Sequence, residues 1–193
     1  MPPWPGISAL VGYFALPKHE AAGGFDHAAV HAASGQVYVA HTANNTVDVF
    51  DPASAEYLFV DAERPVGIAR TFPVPAVGPH GLDLDLATHR LFCACDEGTL
   101  VTLDAQAGRI VSDKKLSGTP DVIFYNHHRE HLYVAVGDPG VIDVFDTSTM
   151  RKIGSVVTEK GAHTLALAPG GDQTPALCAG SATNGSMSAA KSQ

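Results

Sequence analysis

Basic side chains are scarce. Twelve Lys and Arg stand against 20 Asp and Glu, a formal charge of −8 over 193 residues. That is the wrong sign for wrapping a phosphate backbone, and no dense basic run offers an exception, so nucleic acid is not an expected partner. Long apolar runs are also missing. No stretch reaches the roughly 18 consecutive apolar residues of a membrane-crossing helix. The apolar segment at 7–16 has no Lys or Arg before it and no small-residue cleavage site after it, so no signal peptide is expected. Cysteine is limited to Cys93, Cys95 and Cys178, which cannot all pair within one chain. Cys93 and Cys95 stand two apart in an apolar strand-like run, where the extended backbone holds their Cα atoms close to the ~7 Å limit for a disulfide. They read as small buried apolar residues, and no second pair lies at zinc-ligand spacing. The expected location is the cytoplasm, or the periplasm or exterior if a leader precedes this N-terminus.

What is present is ordinary globular material. Hydrophobic residues make up 45% and charged residues 17%, enough to bury a core and too apolar for a disordered chain, while 19 Gly and 13 Pro imply many turns. No capped run of helical periodicity occurs, nor does a P-loop, a dinucleotide fingerprint or a nucleophile elbow. Self-similarity is the strongest signal. GQVYVAHTANNTVDVFD (35–51), HRLFCACDEGTLVTLD (89–104) and EHLYVAVGDPGVIDVFD (130–146) superpose as strand, tight polar turn and second strand ending in Asp. The period of about 42 residues holds four strands of five or six residues with their turns. LFCAC and LYVAV are apolar at nearly every position, as expected of strands covered on both faces. Radially stacked antiparallel sheets cover strands in this way, so the sequence predicts an all-β protein, a β-propeller of four-stranded antiparallel blades.

At these residues the chain resembles a known family. VYVAHTANNTVDVFD is similar to the YVTN repeat, with Tyr38-Val39 and Asn45-Thr46-Val47 matching its motif, and LYVAVGDPGVIDVFD is a looser second match. The resemblance covers roughly residues 9–170 and implies a YVTN/YncE-like propeller. Members of that family usually have seven blades, often occur in bacteria and archaea, and mostly have no assigned activity.

With strands lettered A to D from the channel outward, blade one covers about 25–75, blade two 79–118 and blade three 120–160, with a partial fourth at 162–171. Residues 9–17 resemble a D strand and are expected to supply an outer strand to the last blade. The repeat is broken twice. Asp26 to His80 spans 54 residues, whereas His80 to Asp121 spans 41 and Asp121 to His163 spans 42. The surplus reads as a stray half-blade, YLFVD (57–61) with ARTFPVP (69–75). After residue 171 the chain lacks alternating β-branched residues, so 172–193 is expected to be a disordered tail that supplies neither a B nor a C strand to the fourth blade. The propeller is thus expected to have three to four blades and to be incomplete or open, with exposed edges that favour a homo-oligomer or leave a marginally stable monomer.

Alignment of the repeats puts Asp26, His80, Asp121 and His163 at one position, the start of each inner strand, facing the channel mouth. Alternating carboxylate and imidazole is a ligand set for a divalent metal or for a cationic group. The B–C turns open on the same face and add His41, Thr42, Asn44 and Asn45, then Asp96 and Glu97, then Asp138. His41 and Asp96 join the candidate ligand-binding residues, while Asn44, Asn45 and Asp138 read as turn formers. His31, Asp85 and Asn126 open the A–B turns, and Asp51, Asp104 and Asp146 end the C strands. Both sets read as repeat grammar, as do His127, His128 and His131 in an exposed turn.

No catalytic residue is assigned. The leading reading is a non-catalytic YVTN-type scaffold that binds an unidentified small molecule or protein at the mouth face. The alternatives are a lactonase-like hydrolase, whose central divalent metal would lower the pKa of bound water, and a truncated, non-functional propeller fragment.

Overall fold

The structure, a computed structural model, describes residues 18–50, 70–167, 177–180 and 187–190. They form four antiparallel sheets in chain order. Blade one is β1 (Phe25–Val30), β2 (Val37–His41), β3 (Thr46–Phe50) and β4 (Arg70–Pro73). Blade two is β5 (Pro79–Asp85), β6 (Arg90–Cys95), β7 (Thr99–Asp104) and β8 (Ile110–Lys115). Blade three is β9 (Pro120–Asn126), β10 (His131–Val136), β11 (Val141–Asp146) and β12 (Arg151–Val157). A three-stranded sheet follows, made of β13 (Thr164–Leu167), β14 (Leu177–Gly180) and β15 (Met187–Ala190). The inner strands β1, β5, β9 and β13 stand side by side in that order. Every sheet is open, and no described helix is long enough to cross a membrane.

The near-continuous apolarity of the central strands has a direct cause. In β6, Leu91, Cys93 and Cys95 pack toward blade one with Tyr38, Val47, Val49 and Phe72, while the intervening Phe92 and Ala94 pack toward blade three with Leu132, Val134 and Phe145. Because side chains alternate along a strand, a sheet between two neighbours must be apolar at both parities. Both thiols are fully buried and in no disulfide, and the Cys95 contact together with burial pushes the Cys93 thiol well up.

The hairpins repeat as well. Asn45, Gly98 and Gly140 take positive φ (53°, 83° and 91°) in the three B–C turns, a conformation that Gly and Asn tolerate best. Asp85 and Asn126 accept from the amides of Ala87 and His128 at 3.0 Å each, which bends the A–B turns. Asp104 and Asp146 do the same at the C–D turns, and three donors from Ser148 and Thr149 lower the Asp146 carboxyl to about 2.

Polar ties cross between blades. Tyr38 donates its hydroxyl to the Ala105 carbonyl at 3.0 Å, and Thr42 donates to the Pro79 carbonyl at 2.7 Å. Arg90 donates to the Thr147 carbonyl. Asp83, whose carboxyl burial raises, accepts from the Tyr125 amide at 2.6 Å.

Two sequence expectations are corrected. ARTFPVP does not belong to a separate half-blade, because Arg70–Pro73 pairs with β3, Val49 opposite Arg70 and Thr46 opposite Pro73, as blade one's own outer strand. Strand pairing follows spatial register, which proximity to YLFVD in sequence does not report; YLFVD itself lies outside the described residues. The tail expected to be disordered instead supplies β14 and β15, with Leu165 opposite Ala179 and Cys178 opposite Ala189. Small residues have weak intrinsic preference for strands, but the ladder is made by backbone groups, and a neighbouring strand supplies the partners. The expected closing strand at 9–17 lies outside the described residues.

Candidate functional site

All three complete inner strands carry an irregularity at the end where the aligned candidates sit. Pairing shifts register between Phe25 and Ala28 in β1, between Pro79 and Gly81 in β5, and opposite Val134 and Val136 in β9, where Asp121 lies. Such bulges re-aim the side chains of the bulged residues. In β1 the consequence is specific. A regular strand would send Asp26 and His27 to opposite faces, whereas here His27 Nδ1 lies 2.7 Å from Asp26 Oδ1.

His80 is the centre of the arrangement. Its Nδ1 is 2.8 Å from Asp96 Oδ1, in the B–C turn of its own blade. Its Nε2 is 3.4 Å from Asp26 Oδ2 of blade one and 3.5 Å from Asp121 Oδ1 of blade three. Three blades thus deliver three carboxylates to one imidazole, with side chains that are between a quarter and two-fifths exposed. Even with the ring protonated, the group would carry an excess of negative charge.

The turn that holds Asp96 is built tightly. Its amide donates to the Gly78 carbonyl at 2.8 Å, and a Cβ on Gly78, at φ +71°, would stand 2.6 Å from Asp96 Oδ2. Gly81 is equally constrained, because a Cβ there would meet the Asp121 carbonyl oxygen at 2.4 Å. These two glycines let blades two and three bring Asp96, His80 and Asp121 together.

Comparisons with known proteins bear on the architecture that carries this site. Scanned against protein-family models the chain matches none, and no curated protein matches it in sequence. Its fold does match solved structures. Kuenenia stuttgartiensis hydrazine synthase superposes with a TM-score of 0.70 at 18% identity, over 88% of this chain and 46% of that one. Saccharomyces cerevisiae Sqt1 superposes with a TM-score of 0.61 at 12% identity, over 76% of this chain and 39% of that one. Both are propeller-type folds. The chain has the fold of an incomplete β-propeller. It spans less than half the length of either neighbour, and at such identity the likeness shows fold alone.

The propeller places the other candidates unequally. His163 stands at the start of the fourth inner strand, but its Nδ1 contacts the Gly161 carbonyl at 2.8 Å, and no described contact joins it to His80. His41 is fully buried. Its ring stacks on Phe25 at 4.0 Å between centroids, and its Nδ1 lies 2.8 Å from the buried Asp48. It packs beneath the B–C turn of blade one and, being fully buried, presents no group at the surface of the mouth. Asn44 and Asn45 bond neighbouring backbone, Asn44 Oδ1 accepting from the Glu20 amide and Asn45 Oδ1 from the Gly78 amide. Asp138 makes an exposed pair with Lys160 at 3.1 Å. His127 and His128 lie against each other in an exposed turn.

Repeat alignment gives no sign of His27, because the matching residues are Gly81, Val122 and Thr164. The available signal was that His27 alone in that column carries an imidazole. A second feature went unread, a buried carboxylate in the C strand. Asp143 accepts from the Ser117 amide (2.8 Å), the Ser117 hydroxyl (2.9 Å) and the Ser155 hydroxyl (2.8 Å), and its Oδ1 lies 2.6 Å from Lys152 Nζ. Asp48, the equivalent residue in blade one, is held by His41, Thr46 and Thr71. Both fasten the C strand to its opposite number in the D strand, Ser155 for Asp143 and Thr71 for Asp48.

Proposed function

We propose that the chain is a YVTN-type propeller, or a piece of one, acting as a non-catalytic binding scaffold whose ligand sits at the channel mouth and presents positive charge. One observation carries the reading: Asp26, Asp96 and Asp121, from three successive blades, converge on His80. Like charges gathered from separate blades repel one another, and a bound cation relieves that repulsion while holding the blades together. Sites of this kind favour loops and strand ends positioned by a rigid scaffold, and the buried inter-blade cores provide one.

The test compares thermal stabilisation by a small diamine, putrescine, with that by an anion of similar size, succinate. A ligand present at ten times its Kd stabilises by about 1.4 kcal/mol. The expected result is stabilisation by putrescine alone, reduced in Asp26→Asn and Asp121→Asn. Equal stabilisation by succinate, or a putrescine effect indifferent to both substitutions, would overturn the reading.

A further inference from the structure

We infer that the mouth cluster is a site for a divalent transition metal, with Asp26, His27 and His80 as ligands and Asp96 and Asp121 as supporting carboxylates. The inference rests on the reading of the mouth as the binding face and specifies the chemistry of what binds there. One ligand atom from each of Asp26, His27 and His80 lies within 4.8 Å of the other two. Three details of the geometry indicate a metal in place of a simple ion-pair network.

The first is the orientation of His80. With the ring proton on Nδ1, donated to Asp96 at 2.8 Å, the Nε2 lone pair faces Asp26 and Asp121. A carboxylate behind a ring whose other nitrogen faces a cation is the usual outer support of a metal-ligating histidine. The second is spacing. Bonds of about 2.0–2.1 Å to a tetrahedral centre put ligand atoms about 3.3 Å apart. His80 Nε2 stands 3.4 Å from Asp26 Oδ2, too long for a strong hydrogen bond and close to that edge, with the supporting Asp121 Oδ1 at 3.5 Å. The third is His27. Its Nδ1 is shielded from solvent and has no hydrogen-bond partner, although Asp26 Oδ1 is only 2.7 Å away. Two potential ligand atoms on consecutive residues thus lie side by side without a hydrogen bond between them, and a metal drawing on both would open that separation by several tenths of an ångström.

Donor chemistry narrows the choice of ion. Two imidazoles with carboxylates suit zinc, cobalt or nickel, whereas calcium and magnesium favour all-oxygen sites. The β1 bulge is the enabling feature, since it turns consecutive residues toward one point.

The test titrates the full chain with cobalt(II) by visible spectroscopy and with zinc(II) by calorimetry, with calcium(II) as competitor. The expected result is one equivalent of cobalt giving the intense absorption of a four-coordinate centre, displaced by zinc and untouched by calcium. His80→Ala and His27→Ala should each weaken binding at least 100-fold. Asp96→Asn should weaken it about 10- to 100-fold through the ring orientation. His128→Gln, on the far turn, should leave it unchanged. Circular dichroism checks that the variants fold, and His27→Gln replaces His27→Ala if that variant does not. Absence of cobalt absorption in the wild-type chain, or absorption that survives both histidine substitutions, would overturn the inference. If putrescine stabilises the chain through Asp26 while cobalt does not bind, the metal falls and the mouth reading stands. If neither binds, both fall.

Discussion

Replacing Asp143 by Asn removes the charge from a buried carboxylate held by Ser117, Ser155 and Lys152 while nearly preserving shape. Burial pushes the Asp143 carboxyl up, but the Lys152 ammonium and the donors from Ser117 and Ser155 outweigh it and hold the carboxyl below its ordinary range. Removing one member of a fully buried ion pair costs about 3–5 kcal/mol. Here the Lys152 side chain is 33% exposed and Ser117 lies at the surface, so water takes over part of what Asp143 gives up. Discounted accordingly, the expected loss is about 2 kcal/mol, which corresponds to a fall in Tm of about 4–8 °C for a domain of this size. Because folding lowers this pKa, the contribution is complete above the unfolded value of about 3.9 and disappears as pH falls through the folded value. Urea unfolding of both proteins between pH 7 and pH 3 should therefore show a gap that is widest at pH 7 and narrows below about pH 4. A gap under about 0.5 kcal/mol at pH 7, within the range of ordinary surface substitutions, or one that stays constant down to pH 3, would refute the assignment of Asp143 as the charged residue that fastens β11 to β12 and to Ser117.

Other substitutions probe the remaining parts of the account. Gly81→Ala sets a Cβ 2.4 Å from the Asp121 carbonyl oxygen and should destabilise by about 1–3 kcal/mol in urea unfolding, whereas an unchanged midpoint would show that the inner strands are not held at close approach. Cys93 and Cys95 are buried, so a thiol reagent should label them in the folded protein only at the rate of unfolding, and prompt labelling would contradict the packing of blade two against blade one. Ile110, Val111, Ile153 and Val157 are exposed apolar residues on the outer strands, and they motivate the expectation of self-association. Sedimentation should show concentration-dependent association that Ile153→Lys with Val157→Lys reduces, and a monomer at every concentration would remove that expectation.

The fold was legible because the repeat is written into both faces of its strands. Leu91 to Cys95 and Leu132 to Val136 are apolar at both parities, since each sheet packs against two neighbours, and the superposed stretches 35–51, 89–104 and 130–146 hold the strand pairs β2–β3, β6–β7 and β10–β11. Pairing between distant segments was less legible. Arg70–Pro73 joins blade one across residues that sequence comparison assigned to another unit, and LCAG and MSAA form strands through backbone pairing that their side chains do not advertise. At the mouth, alignment brought out Asp26, His80, Asp121 and Asp96 because each repeats a position. It could not bring out His27, since a bulge reverses the facing that period two implies, nor show that Phe25 and Asp48 would enclose His41.

The most direct test of the mouth as the binding face is to map ligand contacts by amide NMR. With increasing zinc or putrescine, the amides of Asp26, His27, His80, Asp96 and Asp121 should shift together along one saturating curve, while those of Leu86, Ala87, His127 and His128 at the opposite turns stay fixed. Saturating shifts confined to the opposite turns, or none at about 10 mM, weaker than any specific site would require, would contradict the account.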